Sequence, residues 1–165
     1  MADVTGTYYA ASDDSIQGYG TQLEVGNGAS PEVFEAIAAV TKITPGAMQT
    51  ADIKTTHLRS PDAHEEHRAG IRDSSNFSVD CIWLPNSQSQ SNAGGGSGAF
   101  SAGGVISMWR DRTNRNFRIV LPDGTTMWPF RGYVSQFQPL EINNNDVIHA
   151  TVGFMPSQAY DADLP

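Results

Sequence analysis

The sequence predicts one antiparallel β domain of five or six strands with a single short α-helix, and three observations carry that expectation. Apolar and polar residues alternate along "NFSVDCIWLP" (76–85) and "VIHATVGFM" (147–155), the period of a half-buried strand. A "PDGT" stretch (122–125) supplies turn chemistry between two β-rich runs. Hydrophobic residues make up 39% and charged residues 17%, both low. The balance is Gly, Ser, Thr, Asn and Gln, a mixture that suits strands and turns better than long helices.

The elements follow in chain order. Residues 1–20 form a polar, acidic arm without Lys or Arg. In "TQLEVGNG" (21–28), Leu23 and Val25 alternate with Gln22 and Glu24, a short strand ended by Gly. "SPEVFEAIAAVTKITPG" (30–46) is ambiguous. Ser30 suits an N-cap, Pro31 a first helical position, and the Ala-rich centre favours helix. Yet Phe34, Ala36, Ala38 and Val40 also alternate with their neighbours. In 76–85, Phe77, Val79, Cys81 and Trp83 share one face, and Pro85 ends the strand. The Gly/Ser-rich stretch 86–104 is expected to connect and not to pack. "GVISMWRDRTN" (104–114) sets Val105, Met108, Trp109 and Arg112 at helical spacing, an amphipathic helix. Residues 116–142 form a hairpin, with a bulge or an edge expected where Pro129 interrupts its second strand. "NNND" (143–146) is a turn, and the last strand places Ile148, Ala150, Val152 and Phe154 on one face.

Composition narrows the function. A length of 165 residues suits one domain with arms, large enough to bury a core without disulfides. Eighteen acidic against 10 basic side chains give a net charge of −8, the wrong sign for a protein that grips phosphates. The lone Cys81 forms no intramolecular disulfide and sits among apolar neighbours, as a small buried hydrophobe does. No run of about 18 apolar residues occurs, so no membrane span is expected. The N-terminus lacks the basic and apolar regions of a secretion signal.

The densest chemistry lies in "TTHLRSPDAHEEHRAGIRDSSNFSVD" (55–80), where His57, His64 and His67 mix with Asp62, Glu65, Glu66 and Asp73. His64 and His67 are three apart and separated by two acids, whereas a helical zinc pair needs a spacing of four. No metal and no cofactor is therefore expected. No G-x-S-x-G elbow supports a Ser-His-Asp arrangement, and Gly94–Gly96 lack the Lys and Ser/Thr of a phosphate-binding loop. No catalytic residue is assigned.

The order of motifs resembles the major tail tube protein of long, non-contractile-tailed, lambda-like bacteriophages. Val40, Ile43, Pro45 and Gly46 match an early Val-x-x-Ile strand followed by Pro-Gly. Asp52, Thr55 and Thr56 match the opening of a long loop, and Gly70, Ile71, Asp73, Phe77 and Val79 an element leading into a strand. The "LPDGT" hairpin (121–125), Phe130, Gly132 and Val134, and the "ATV" strand (150–152) complete the pattern over residues 20–156. Each motif is weak alone, and their order carries the resemblance. Ser75-Asn76 depart from the usual Gly-acid pair, 86–104 is unusually Gly-rich, and the extra C-terminal immunoglobulin-like domain of some relatives is not expected.

The resemblance implies a tail-tube fold: an antiparallel β-sandwich or barrel (21–156) with one flanking helix, an N-terminal arm (1–20), a long loop (45–76) and a C-terminal tail (157–165). It turns the ambiguous 30–46 segment into a strand over Glu32–Ile43, against helix propensity. It further implies a structural virion protein and not an enzyme, with six subunits closing a ring and rings stacking head to tail into a tube that conducts DNA. Tape-measure, tail terminator and tail-tip proteins are the implied partners, and DNA passes without tight binding. Thr55, His57, Arg59, Asp62, His64, Glu65, Glu66, Arg68, Arg72 and Asp73 are the implied contacts between subunits and rings. Two other functions stay open: a tube subunit of a contractile tail or type VI secretion machine, and a β-sandwich binding module or enzyme.

Overall fold

The computed structural model describes residues 18–57, 64–91, 98–142, 144 and 146–157. In this region the chain forms β1 (Gln22–Gly26), β2 (Phe34–Ala36), β3 (Val40–Thr44), β4 (Met48–Lys54), β5 (His67–Ser74) and β6 (Phe77–Ile82). A 3-10 turn (Gly98–Phe100), helix α1 (Val105–Asp111), β7 (Arg115–Val120), β8 (Met127–Pro139) and β9 (His149–Pro156) follow. Seven strands make one sheet in the order β2-β1-β7-β8-β9-β6-β3, and β4 and β5 form a separate two-stranded sheet. Every strand pairing is antiparallel.

One bent strand and one corner between strands fold the large sheet over itself. The first half of β8 pairs with β7, from Met127 to Gly132, and its second half with β9, from Gly132 to Pro139. A register shift between Val134 and Gln136 marks the bend. On the opposite side, the terminal strands β2 and β3 are consecutive in the chain. Ile37 still donates to the Leu23 carbonyl (2.8 Å) beside β1, while the Ala39 carbonyl accepts from Ile82 (3.0 Å) beside β6. Ala39 makes this corner in the left-handed region, at φ 55°. The extended course expected over Glu32–Ile43 is therefore present as two strands with a corner between them. Pairing with β1 and β6 overrides the helix propensity of its alanines.

The fold closes on four phenylalanines, one each from β6, β7, β8 and β9. Phe77 meets Phe130 edge-on at 4.6 Å and stacks on Phe154 at 4.9 Å, and Phe117 stacks on Phe130 at 5.3 Å and meets Phe154 edge-on at 5.2 Å. Such pairs add about 0.5–1.5 kcal/mol each beyond the area they bury. Leu23, Val25, Val79, Val134 and Val152 surround them, and Val105 and Met108 of α1 join the same core.

Several expectations need correction. The described parts of 86–104 pack: Ser89, Gln90, Ala99 and Phe100 are buried, and 92–97 lie outside the described residues. Gln90 donates to the carbonyls of Ala38 (2.8 Å) and Ile82 (3.0 Å) and accepts from the Leu84 amide (2.8 Å), and Ser89 Oγ accepts from the Ala38 amide (3.0 Å). The two side chains thus satisfy the backbone that the corner at Ala38–Ala39 leaves open. Gly104 lies so close to Ser89 that an added Cβ would sit 2.5 Å from its backbone. Helix α1 buries Val105 and Met108 as expected, but Trp109 is half exposed and Arg112 ends the helix at φ 53°. Of the two alternatives expected at Pro129, the edge is present: it sits opposite Arg118 without a bulge, and β9 pairing begins only at Gly132. Finally, the described residues of the expected long loop 45–76 form the β4–β5 hairpin, whose sequence hides the period of two because both faces are exposed.

Candidate functional site

The hairpin grows from a pinched neck. Ser75 donates to the Ala47 carbonyl (3.0 Å), and a Cβ on Gly46 would stand 2.2 Å from the Ser75 carbonyl oxygen. Only glycine allows the two chains to pass this close. Beyond the neck, Met48 pairs with Ser74 and Lys54 with His67, with a register shift between Thr50 and Asp52. Every residue of β4 is exposed, and β5 is exposed except at Gly70 and Ser74.

The cross-strand register places the expected contact residues. Thr55 donates to the Glu66 carbonyl (2.8 Å), and the Thr56 hydroxyl accepts from the Glu66 amide (3.0 Å), which prolongs the ladder past β4. His67 Nδ1 lies 2.6 Å from Asp52 and its Nε2 3.6 Å from Glu65, which also pairs with Lys54. These four form one charged cluster on one face. Arg68 stands on the other face, opposite Ile53, as does Asp73 opposite Gln49, whereas Arg72, opposite Thr50, shares the face of Asp52 and Lys54. His57 and His64 are exposed at the distal end. Arg59 and Asp62 lie outside the described residues.

Sequence reasoning missed the hairpin's apolar residues. Met48 is 66% exposed, Ile53 49% and Ile71 83%. Met48 shares a face with Arg72, and Ile53 shares the opposite face with Arg68. The two apolar residues of β4 lie on opposite faces, so no alternation marked them in the sequence. The result is a slender ribbon with apolar spots amid charge and two open backbone edges. It has no core of its own, and an isolated hairpin is marginal in water. Unpaired edges are also templates for strand addition. The arrangement fits protein contact; among the described residues, no three His, Cys, Asp or Glu side chains converge as metal ligands.

Cys81 is buried on β6, where burial, and then the charge of Asp80, push its thiol up to about 11. A thiol held protonated is a poor nucleophile. Among the described residues no helix is long and apolar enough to cross a membrane.

With this geometry in place, comparison with known proteins is specific. The family model described as the lambda phage tail tube protein matches residues 17–159. The fold is similar to that of a chain in the tail of an empty GTA particle, determined with helical refinement and C6 symmetry. That pair has a TM-score of 0.62 and 13% identity, covering 88% of this chain and 96% of that one. A chain of the native gene transfer agent virion gives a TM-score of 0.61 at 12% identity, covering 88% and 96%. A chain of the sheath-tube complex of an extracellular contractile injection system, PVC, gives 0.60 at 14% identity, covering 93% and 95%. No curated protein matches the sequence.

Proposed function

We propose, from the premise that the chain belongs to the lambda phage tail tube protein family, that six copies close a ring and that rings stack head to tail into a DNA-conducting tube. The role itself follows from membership: the protein is a structural tail tube protein of a virion tail. The observation that carries the assembly is the β4–β5 hairpin, a separate ribbon with exposed apolar side chains and free edges. A neighbouring copy supplies the surface it lacks. Thr55, His57, His64, Glu65, Glu66, Arg68, Arg72 and Asp73 are then contact residues, with Arg59 and Asp62 continuing the same segment. The C6 symmetry of the similar GTA tail supports the ring of six.

Head-to-tail contacts are heterologous and grow without limit, so a separate protein must set the length. A tape-measure protein in the lumen during assembly, and terminator and tip proteins at the ends, meet that need. Six chains of −8 place −48 on each ring. Such a tube repels phosphate and lets DNA slide.

The injection-system tube shares the fold almost as closely as the GTA tail, at 0.60 against 0.62. The fold therefore suits contractile and non-contractile machines alike, and the family match favours the non-contractile, siphophage type. Negative-stain microscopy of the concentrated protein tests the assembly. Tubes with six-fold end views are expected; dispersed subunits at every concentration would contradict it.

A further inference from the structure

A further exposed apolar surface lies at the pole of the sheet opposite the hairpin. There β6, β9 and the second half of β8 run side by side. Ile82 stands opposite His149, Trp83 donates to the Ile148 carbonyl (2.7 Å), and Leu140 donates to the His149 carbonyl (2.8 Å). Carried on by one or two residues, this register sets Leu84, Val147 and Ile142 in one row across the three strands, with Ile82 and Leu140 beside them. Cys81 and Ala150 fill the core side of the same strands, so alternation turns these five outward. Leu84, Leu140, Val147 and Ile142 are between 39% and 67% exposed. Nearer the hairpin the same face is polar, with Ser78, Asp80 and Thr151, so the apolar rows are confined to the far pole. A contiguous apolar patch on the solvent face of a sheet marks a contact surface. Its border is acidic: Glu141 and Asp146 are exposed, and 82–91 and 136–149 hold no Lys or Arg.

The hairpin carries the matching chemistry. Ile53 and Arg68 stand opposite each other on one of its faces. Gly70 has no side chain to cover Ile53; a Cβ there would lie 3.0 Å from it. Arg68 has no carboxylate partner among the described residues. The hairpin leaves the sheet beside Phe77, at the start of β6, and the patch begins at Ile82, at its end. The strand keeps the two surfaces about 20 Å apart, at about 3.3 Å per residue. The exposure of the hairpin shows that it does not turn back along its own sheet. A contact between the two surfaces therefore joins different copies, head to tail.

We infer that the Ile53–Arg68 face of one copy's hairpin seats on the Leu84–Val147–Ile142 row of a copy in the next ring, with Arg68 against Glu141 and Asp146. The inference rests on the stacked rings proposed above and names the surface that receives the hairpin. Apolar side chains meet at the centre of the contact, and a guanidinium meets carboxylates at its rim. The exposed Met127 and Trp128 at the β7–β8 turn are a poorer match for the same hairpin. Trp128 shares a groove with Lys42, whose charge repels Arg68.

Disulfide trapping in assembled tubes of the full chain tests it. Cys81 is buried, so introduced thiols report alone. Ile53, Val147 and Thr125 are all exposed in the subunit. Oxidised tubes of Ile53→Cys/Val147→Cys are expected to give a ladder of linked chains that runs past six, and tubes of Ile53→Cys/Thr125→Cys no ladder. Arg68→Glu should lower the yield of sedimenting tubes at least about tenfold, and adding Glu141→Arg and Asp146→Arg should restore it, as charge complementarity across the contact requires. Tubes in which Ile53→Cys/Val147→Cys forms no links would overturn the inference and leave the assembly standing. A ladder that stops at six would place the contact within a ring and overturn it too. Slow alkylation of Val147→Cys in the dispersed subunit would show the patch covered by its own chain, with the same consequence. Failure of the unsubstituted protein to form tubes would instead remove the assembly, and this contact with it.

Discussion

Gln90 illustrates how much one side chain can hold in this fold. It satisfies an amide and two carbonyls at the corner where the chain crosses between half-sheets. Each buried polar group left without a partner costs about 1–3 kcal/mol. Gln90→Leu should therefore destabilise the subunit by about 3 kcal/mol or more in urea, whereas the same change at exposed Gln88 should be nearly neutral. Nothing in "NSQSQSN" separates the two glutamines, because only the tertiary corner distinguishes them. Ala39 is a second such case. A left-handed alanine is strained by roughly 1–2 kcal/mol, more than glycine's added entropy, so Ala39→Gly should raise the melting temperature. Asp123, by contrast, was legible, since Asp-Gly after Pro signals a turn. The Thr126 hydroxyl and amide, with the Thr125 amide, hold its carboxyl down at about 2. A depressed acid stabilises above its unfolded value near 4 and loses that contribution as pH falls to about 2. The stability difference between the protein and its Asp123→Asn variant should be constant from pH 5 to 7 and should shrink between pH 4 and 2.

Among the elements, strands with one buried face were the easiest to foresee. Phe77, Val79 and Cys81 of β6, and Ala150, Val152 and Phe154 of β9, face the core as their alternation requires. The β4–β5 hairpin was not legible as strands, because neither face is buried and the alternation that reports burial is absent. The contact role proposed for it came from a resemblance and from its length, not from any residue signature. Since no strand of the large sheet pairs with it, joining Gly46 directly to Ser75 should leave the barrel folded and abolish tubes. Circular dichroism checks the first outcome and electron microscopy the second. The point substitution Gly46→Val should force open the neck and weaken assembly at nearly normal barrel stability.

At the scale of the whole molecule, the net charge of −8 and the ribbon belong to one account. The seven-stranded sheet is a unit that a single chain completes; on the proposed assembly, the ribbon is complete only when another copy covers it. Tubes should bind duplex DNA negligibly at physiological salt in a filter assay, because acidic walls release no counterions on contact with phosphate. The family was legible from the order of weak motifs, while the sheet's closure through β2–β3 was not, since it depends on a corner at Ala39 that no local signal marks. Hydrogen exchange over residues 48–54 and 67–74, compared between free subunit and tube, tests most directly that neighbouring copies complete the hairpin. A two-stranded ribbon opens readily, so these amides should exchange fast in the free subunit and at least about tenfold more slowly in the tube. Equal exchange in both states would show that the hairpin is already complete in one chain and that the contacts between copies lie elsewhere.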